Sequence, residues 1–381
     1  MKEYFYKKEY KYMYMSIFFY NFANALSETF GTVMLYKAGL PIWFILLIYG
    51  IRFLITGLIS PFFIMISNKI GIAKCILISN IFSIINSYFM LNSESLYRNI
   101  VVFIFSIGLM GLSNPSSDAL SSRYVENEHR GRFNSFYNIS KILGTVLASC
   151  LVAWGVISNN NLVLFIFIVI FFLLQYISIL KIDYKPEKKE NTFKESIKYL
   201  LNSKSNYKII YALRTNHIIE RLFAPLYLYI ILQDFAAFST IIIVSLLFQI
   251  ITITLIGKYT DKNLRKANNF VSAIRVTITA IYLFARNKIL ISANKTLSDN
   301  FEKVYETSIT TSIQNIIKDS KEDNELLSTA GQMSLCFTEV IILAILSIAA
   351  KYIGTNIFYI IFASSIVSTI AINFYTKKEQ Q

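Results

Sequence analysis

The stretch FILLIYGIRFLITGLISPFFIMI, residues 44–66, runs 23 residues with one charge, Arg52. A bilayer's hydrocarbon core is about 30 Å thick, and about 20 helical residues cross it. Residues 162–180 and 240–256 repeat the pattern. Working outward, about a dozen apolar segments of roughly 17 to 25 residues follow one another, separated by short polar loops. The whole chain agrees: 55% of its 381 residues are hydrophobic, 15% aromatic, and the mean hydropathy is +0.50. This is the composition of a chain that lives in lipid, not of two or three soluble domains.

Spans are expected at 13–35, 42–66, 72–93, 100–119, 136–157, 162–181, 208–232, 237–257, 268–285, 289–316, 328–349 and 353–374. The first is too long for a signal-peptide core and has no small-residue cleavage site after it, so it is expected to be retained. With the N-terminus in the cytoplasm, the inside loops hold 25 lysines and arginines and the outside loops five, Lys37, Arg98, Arg286, Lys288 and Lys351. The positive-inside rule then places both termini in the cytoplasm. The net charge of +14 is thereby a topology signal, and no nucleic-acid partner is expected.

Cys75, Cys150 and Cys336 lie in separate apolar segments without CxxC spacing, and His129 and His217 are far apart. Neither a disulfide framework nor a metal site is indicated, and no cofactor is expected. The longest polar stretch, 183–207, divides the ladder into six spans and six. It suggests an N-terminal six-helix unit at 1–182, a cytoplasmic linker, and a C-terminal unit at 208–381, the arithmetic of a parallel internal repeat.

After the eighth span the chain reads Gly257-Lys-Tyr-Thr-Asp261-Lys262-Asn-Leu264-Arg265-Lys266. This resembles the loop signature G-x-x-x-D-R/K-x-G-R-R/K of the major facilitator superfamily, with Leu264 replacing the second glycine. The matching place after the second span carries Asn68, Lys69 and Gly71, a decayed copy with Asn68 where the acid stands. The resemblance implies an all-α membrane protein of twelve transmembrane helices in two pseudo-symmetric six-helix bundles. It also implies that these two loops form a cytoplasmic gating latch, in which a carboxylate and neighbouring cations hold helix ends through dipole and ion-pair contacts. In the resembled fold the first, fourth, seventh and tenth spans surround a central cavity. Residues 144–155 lack the Gly-Pro pair that drug/proton antiporters of the family carry in the fifth span.

Ionisable groups inside spans cost roughly 2.5–3.5 kcal/mol each, so they normally face protein or water. On the first span Asn21, Asn24 and Glu28 share a face; Glu28 is either a proton carrier or a structural glutamate bonded to a neighbouring helix. Asp118 is the acid of the fourth. On the seventh, Arg214, His217 and Arg221 are spaced by 3 and 4; the deeper His217 and Arg221 could bind an anionic group or pair with Glu28. On the tenth, Lys295, Asp299, Glu302, Glu306 and Thr310 fall within about 80° of a helical wheel, with Lys303 at the edge. Five charges facing lipid would cost on the order of 10 kcal/mol or more, so this segment either lines an aqueous path or lies in the interface. Crossing keeps Lys377 and Lys378 inside and is the expected topology. Arg52, Lys141, Arg275 and Glu339 are expected as members of interhelical ion pairs rather than as ligands.

The expected function is secondary active transport by alternating access: a small solute crosses the cytoplasmic membrane of a bacterium, the direction left open. There is no P-loop, so protons or another coupling ion are the expected energy source. Glu28, Asp299, Glu302 and Glu306 are the candidate carriers, and Asn21, Asn24, Asp118, His217, Arg221 and Lys295 the candidate cavity residues. A monomer is expected. The alternative is a non-transporting sensor or assembly partner of the same shape; no enzyme is expected, because no span carries a nucleophile-base pair.

Overall fold

The computed structural model describes residues 8–28, 31–92, 96–109, 125, 130–158, 161–182, 194, 197–198, 206–262, 264–285, 287–319 and 324–379. Among them every regular element is a helix. In chain order these are α1 (Lys8–Glu28), α2 (Gly31–Lys37), α3 (Ile42–Ile70), α4 (Ile72–Asn92), α5 (Leu96–Leu109), α6 (Arg130–Ser158) and α7 (Asn161–Leu180). They continue with α8 (Asn206–Leu232), α9 (Phe235–Lys262), α10 (Leu264–Phe284), α11 (Lys288–Asp319), α12 (Asn324–Ile353) and α13 (Ile357–Glu379). The expected first span, 13–35, is helical wherever it is described, in α1 and α2, and residues 29 and 30 between them lie outside the described residues.

The turns follow from local chemistry. Gly71 ends α3 at φ 86°, ψ 154° and its N–H donates to Ser67 O at 2.8 Å. Only glycine adopts that conformation without strain, so α4 can reverse direction at once. At the other side of the chain Gln233 takes φ 56°, and Asp234 Oδ1 accepts from Ala237 N at 3.3 Å, capping α9. Asn287 Oδ1 does the same for Ile289 N at 2.8 Å at the start of α11.

The burial pattern differs from that of a water-soluble domain, with apolar residues on the outer surface as well as in the core. Apolar side chains stand outward in helical stripes, for instance Ile341, Ile345 and Ile348 on α12 and Val367, Ile370 and Phe374 on α13, while many Ser, Thr and Asn are buried. Residues 42–67, 162–180, 265–284 and 326–376 are long and apolar enough to cross a membrane. Lipid offers no hydrogen bonds, and several of these hydroxyls bond back to their own helix: Ser60 Oγ donates to Thr56 O at 2.7 Å and Ser83 Oγ to Ser79 O at 3.1 Å.

Two close crossings matter for the site. On α6, a Cβ at Gly144 would meet Phe18 O at 2.5 Å and Phe22 N at 3.0 Å on α1. Gly144→Ala is therefore expected to lose about 1–3 kcal/mol by overpacking, read as a lower melting temperature in detergent. The second crossing joins helices from opposite ends of the chain: α3 and α12 lie along each other, with the Gly57 Cβ position 3.0 Å from Cys336 Cβ and that of Gly50 3.6 Å from Leu343 Cβ.

Candidate functional site

The α11 sequence repeats charge at i, i+4, i+7, i+8 and i+11 from Lys295, which stacks Lys295, Asp299, Glu302, Lys303 and Glu306 on one face. That face borders a cavity of about 210 Å³. Around it stand Asn21 of α1, Lys141 and Thr145 of α6, Arg221 and Pro225 of α8, and Gln249 of α9, with Lys295, Asp299, Glu302 and Lys303 from α11. Ile142, Leu222, Ile242 and Leu246 supply the apolar wall. Helices from both ends of the chain thus contribute to one space.

The charges around it are not equivalent. Lys295 Nζ donates to Asp299 Oδ1, and Asp299 Oδ2 accepts from Ser245 Oγ at 2.9 Å, so this carboxylate is held twice. Glu306 is clamped between Lys303 Nζ at 2.5 Å and Arg221 Nη1 at 3.4 Å. Glu302 is different. It is buried in the fields of Arg275, Arg221 and Lys303, yet among the described residues it makes no hydrogen bond or ion pair.

Behind the main cavity a second, about 30 Å³, is lined by Arg214, His217, Arg275, Tyr305 and Glu306, and shares Arg221 and Glu302 with the first. Its wall is a buried network. Arg275 Nη2 donates to Glu220 Oε2 at 2.7 Å and reaches His217 Nδ1 at 3.1 Å; Ser365 Oγ also donates to Glu220. His217 Nδ1 also lies 3.0 Å from Ser365 Oγ, and Nε2 is 3.4 Å from Tyr305 Oη, so both ring nitrogens are engaged. Four helices, α8, α10, α11 and α13, are tied by this one cluster.

Polar contacts bridge the early and late helices on both sides of the cavity. Toward the C-terminal end of α11, Arg130 Nη1 donates to Asn315 Oδ1 at 2.7 Å, Asn134 Nδ2 to Thr311 Oγ1 and Gln314 Oε1 at 2.9 Å each, and Asn138 Nδ2 to Thr307 Oγ1 at 2.9 Å. Residues 130, 134 and 138 ascend α6 by turns while 315, 311 and 307 descend α11, an antiparallel zipper. On the opposite side Thr32 Oγ1 donates to Leu222 O at 3.1 Å, Tyr36 meets Tyr229 edge-on, and Ser347 Oγ donates to Trp43 O at 2.7 Å.

Of the residues singled out in sequence, Asn21, Arg221, Lys295, Asp299 and Glu302 come together at the main cavity, with Glu306 at their edge and His217 in the smaller cavity behind. The side chains of Asn24, Glu28, Asn68, Gly257, Asp261 and Lys262, and all of Asp118, lie outside the described residues. Lys69, Arg265 and Lys266 are exposed at helix ends. Sequence reasoning passed over Lys141 as a cavity residue; its only signal is a lone cation on the fifth span. Arg275 has the ion pair expected of it, whereas among the described residues neither carboxylate oxygen of Glu339 has a hydrogen-bond partner.

A family model described as Major Facilitator Superfamily matches residues 12–293. The chain belongs to the Major Facilitator Superfamily. Members of this superfamily are multi-pass membrane transporters, and this chain is one by descent. Among solved structures it is similar to a bacterial homologue of the iron transporter ferroportin in the outward-facing state, at a TM-score of 0.68 and 12% identity over 98% of both chains. The same protein with soaked iron gives 0.67 and 12% over 98% of this chain and 99% of that one. The human organic anion transporter MFSD10 (TETRAN) gives 0.70 and 11% over 96% of this chain and 99% of that one. No curated protein sequence matches. At such identities the superfamily fold is shared and the cargo is a separate question.

Proposed function

We propose that this superfamily member is a proton-coupled secondary transporter that moves a small anionic or zwitterionic solute by alternating access. Two six-helix bundles, 1–182 and 208–381, joined by the 183–207 linker, rock about the cavity in the cytoplasmic membrane of a bacterium, with both termini in the cytoplasm. The observation that carries this reading is Glu302, an unpaired buried carboxyl in a cavity that otherwise presents Lys141, Arg221, Lys295 and Lys303.

Four cations against Asp299 and Glu302 give the lining a positive excess, which suits a carboxylate or phosphate group on the solute and disfavours a metal cation. Among the described residues no cluster of three or more His, Cys, Asp or Glu side chains is placed to hold a metal ion. The organic-anion cargo named for MFSD10 is consistent with this chemistry; the iron named for the ferroportin homologue is not. A proton on Glu302 raises the positive excess as the anion enters, and its departure lowers it, so proton and solute travel together. Contacts on both sides of the cavity correspond to an occluded step, from which either the zipper or the Trp43–Ser347 side opens.

The test is binding. Small carboxylates, phosphates and zwitterions are screened by thermal shift on the purified protein, since a ligand that binds only the native state raises the melting temperature by mass action. A hit is expected, and Lys141→Gln is expected to weaken it about tenfold, about 1.4 kcal/mol for one charge-assisted contact. Hits restricted to metal cations or lipophilic cations would contradict the assignment.

A further inference from the structure

Glu339 lies at the middle of α12 and is fully buried, and among the described residues neither carboxylate oxygen has a hydrogen-bond partner. Cys336, Glu339 and Leu343 are spaced by 3 and 4 and so share a face, and the first and last of them meet Gly57 and Gly50 of α3. The carboxyl therefore sits in the seam between α3 and α12, where the two helices approach closely. The charges whose fields reach it are Arg52 on α3 and Arg221 and Arg214 on α8, and Cys336 is its titratable neighbour on α12. Arg52 lies over aromatic rings, 5.4 Å from Tyr49, 5.3 Å from Phe53 and 5.6 Å from Phe103.

An ionised carboxylate in such a place lacks the hydrogen bonds that make burial of a charge tolerable. A neutral carboxyl is far less penalised. Water reaching an opened seam would reverse that preference, and Arg52 would then face a carboxylate across a wet gap.

We propose that Glu339 is a proton-binding site that latches the α3–α12 seam: it holds its proton while the seam is closed and releases it to water when the seam opens. The step is the breaking of one carboxyl O–H bond, leaving a carboxylate and a hydrated proton, and it is reversed on closure. This rests on the alternating-access reading above and adds a second proton site, on the moving contact between the halves and outside the solute cavity. One linked proton makes the closed-to-open ratio change about tenfold per pH unit between the two ionisation midpoints, alkaline pH favouring the open seam.

The seam carries its own reporter. Trp43 lies on α3 beside Lys351, whose Nζ is 4.5 Å from the indole ring, and its carbonyl accepts from Ser347 on α12. The chain has two tryptophans, Trp43 and Trp154, so Trp154→Phe leaves Trp43 emission as a readout of the seam. The purified full chain without solute is titrated from about pH 5 to about pH 9. The expected result is a one-proton transition in Trp43 emission that is lost in Glu339→Gln and retained in Glu302→Gln. No transition in the Trp154→Phe protein, or one that survives Glu339→Gln, overturns the proposal. If Glu339→Gln does not fold, infrared difference spectra of the Trp154→Phe protein serve instead: a protonated-carboxyl band must vanish with the Trp43 change, and its persistence overturns the latch. Transport is read separately on vesicles. Proton-driven uptake with a Glu339-independent seam overturns the latch alone, whereas a Glu339-dependent seam without uptake supports the latch and removes the transport reading.

Discussion

Arg275→Met is expected to cost about 3–5 kcal/mol of stability, because it strands Glu220 as an uncompensated charge among α8, α10 and α13. Arg275 and Glu220 are each 3% exposed at the side chain and 2.7 Å apart, so no water replaces the lost partner. Glu220→Leu alone is expected to cost a similar amount by stranding Arg275 instead. The double variant Arg275→Met/Glu220→Leu is expected to recover most of the loss, since a buried ion pair and a well-packed apolar pair often differ little. His217 and Ser365 lose their charged partner in that double variant, which keeps the recovery incomplete. Melting temperatures in one detergent, compared as a double-mutant cycle, check this. Additive losses would mean that the two side chains do not act as a pair.

Asn134→Leu/Asn138→Leu is expected to shift the balance of states by about 30-fold to 1,000-fold toward opening on the zipper side. The bonds lost are those to Thr311, Gln314 and Thr307. Leaving their partners buried and unsatisfied costs about 1–3 kcal/mol per group. The penalty falls only on the state in which α6 and α11 touch; because two of the three partners, Thr307 and Thr311, keep a bond within α11, the total is about 2–4 kcal/mol, which converts to that ratio. Thr307 and Thr311 also donate to Lys303 O and Thr307 O of their own helix, so α11 itself remains intact. Distances between spin labels on the two sides of α6 and α11 measure the outcome. A distribution identical to that of the unaltered protein would show that the zipper holds nothing closed.

Much of the fold was legible because lipid imposes a length: apolar runs such as 42–66 and 162–181 mark helices α3 and α7 to within a few residues. The i, i+4, i+7 charges of α11 likewise announced one polar face. Other features have no periodic signature. Lys141 is a single cation on α6, and its place at the cavity depends on how α6 crosses α11. Glu220 and Arg275 are 55 positions apart, so their pairing exists only once α8 and α10 pack. Asn134, Asn138, Thr307 and Thr311 carry no charge, and uncharged polar residues are common in spans, so the zipper was invisible until the helices met. Glu339 was expected to be paired because a lone acid in a span demands a counter-charge, and its orphaned oxygens are evident only in three dimensions.

The most direct test of the account is uptake by the purified chain in sealed proteoliposomes, with an imposed proton gradient and the solute identified by thermal shift. Proton-driven transport predicts accumulation above the outside concentration, collapse to equilibration when a proton ionophore is added, and loss of accumulation with retained solute exchange in Glu302→Gln. Accumulation indifferent to the ionophore, or full accumulation by Glu302→Gln, would contradict the proposal.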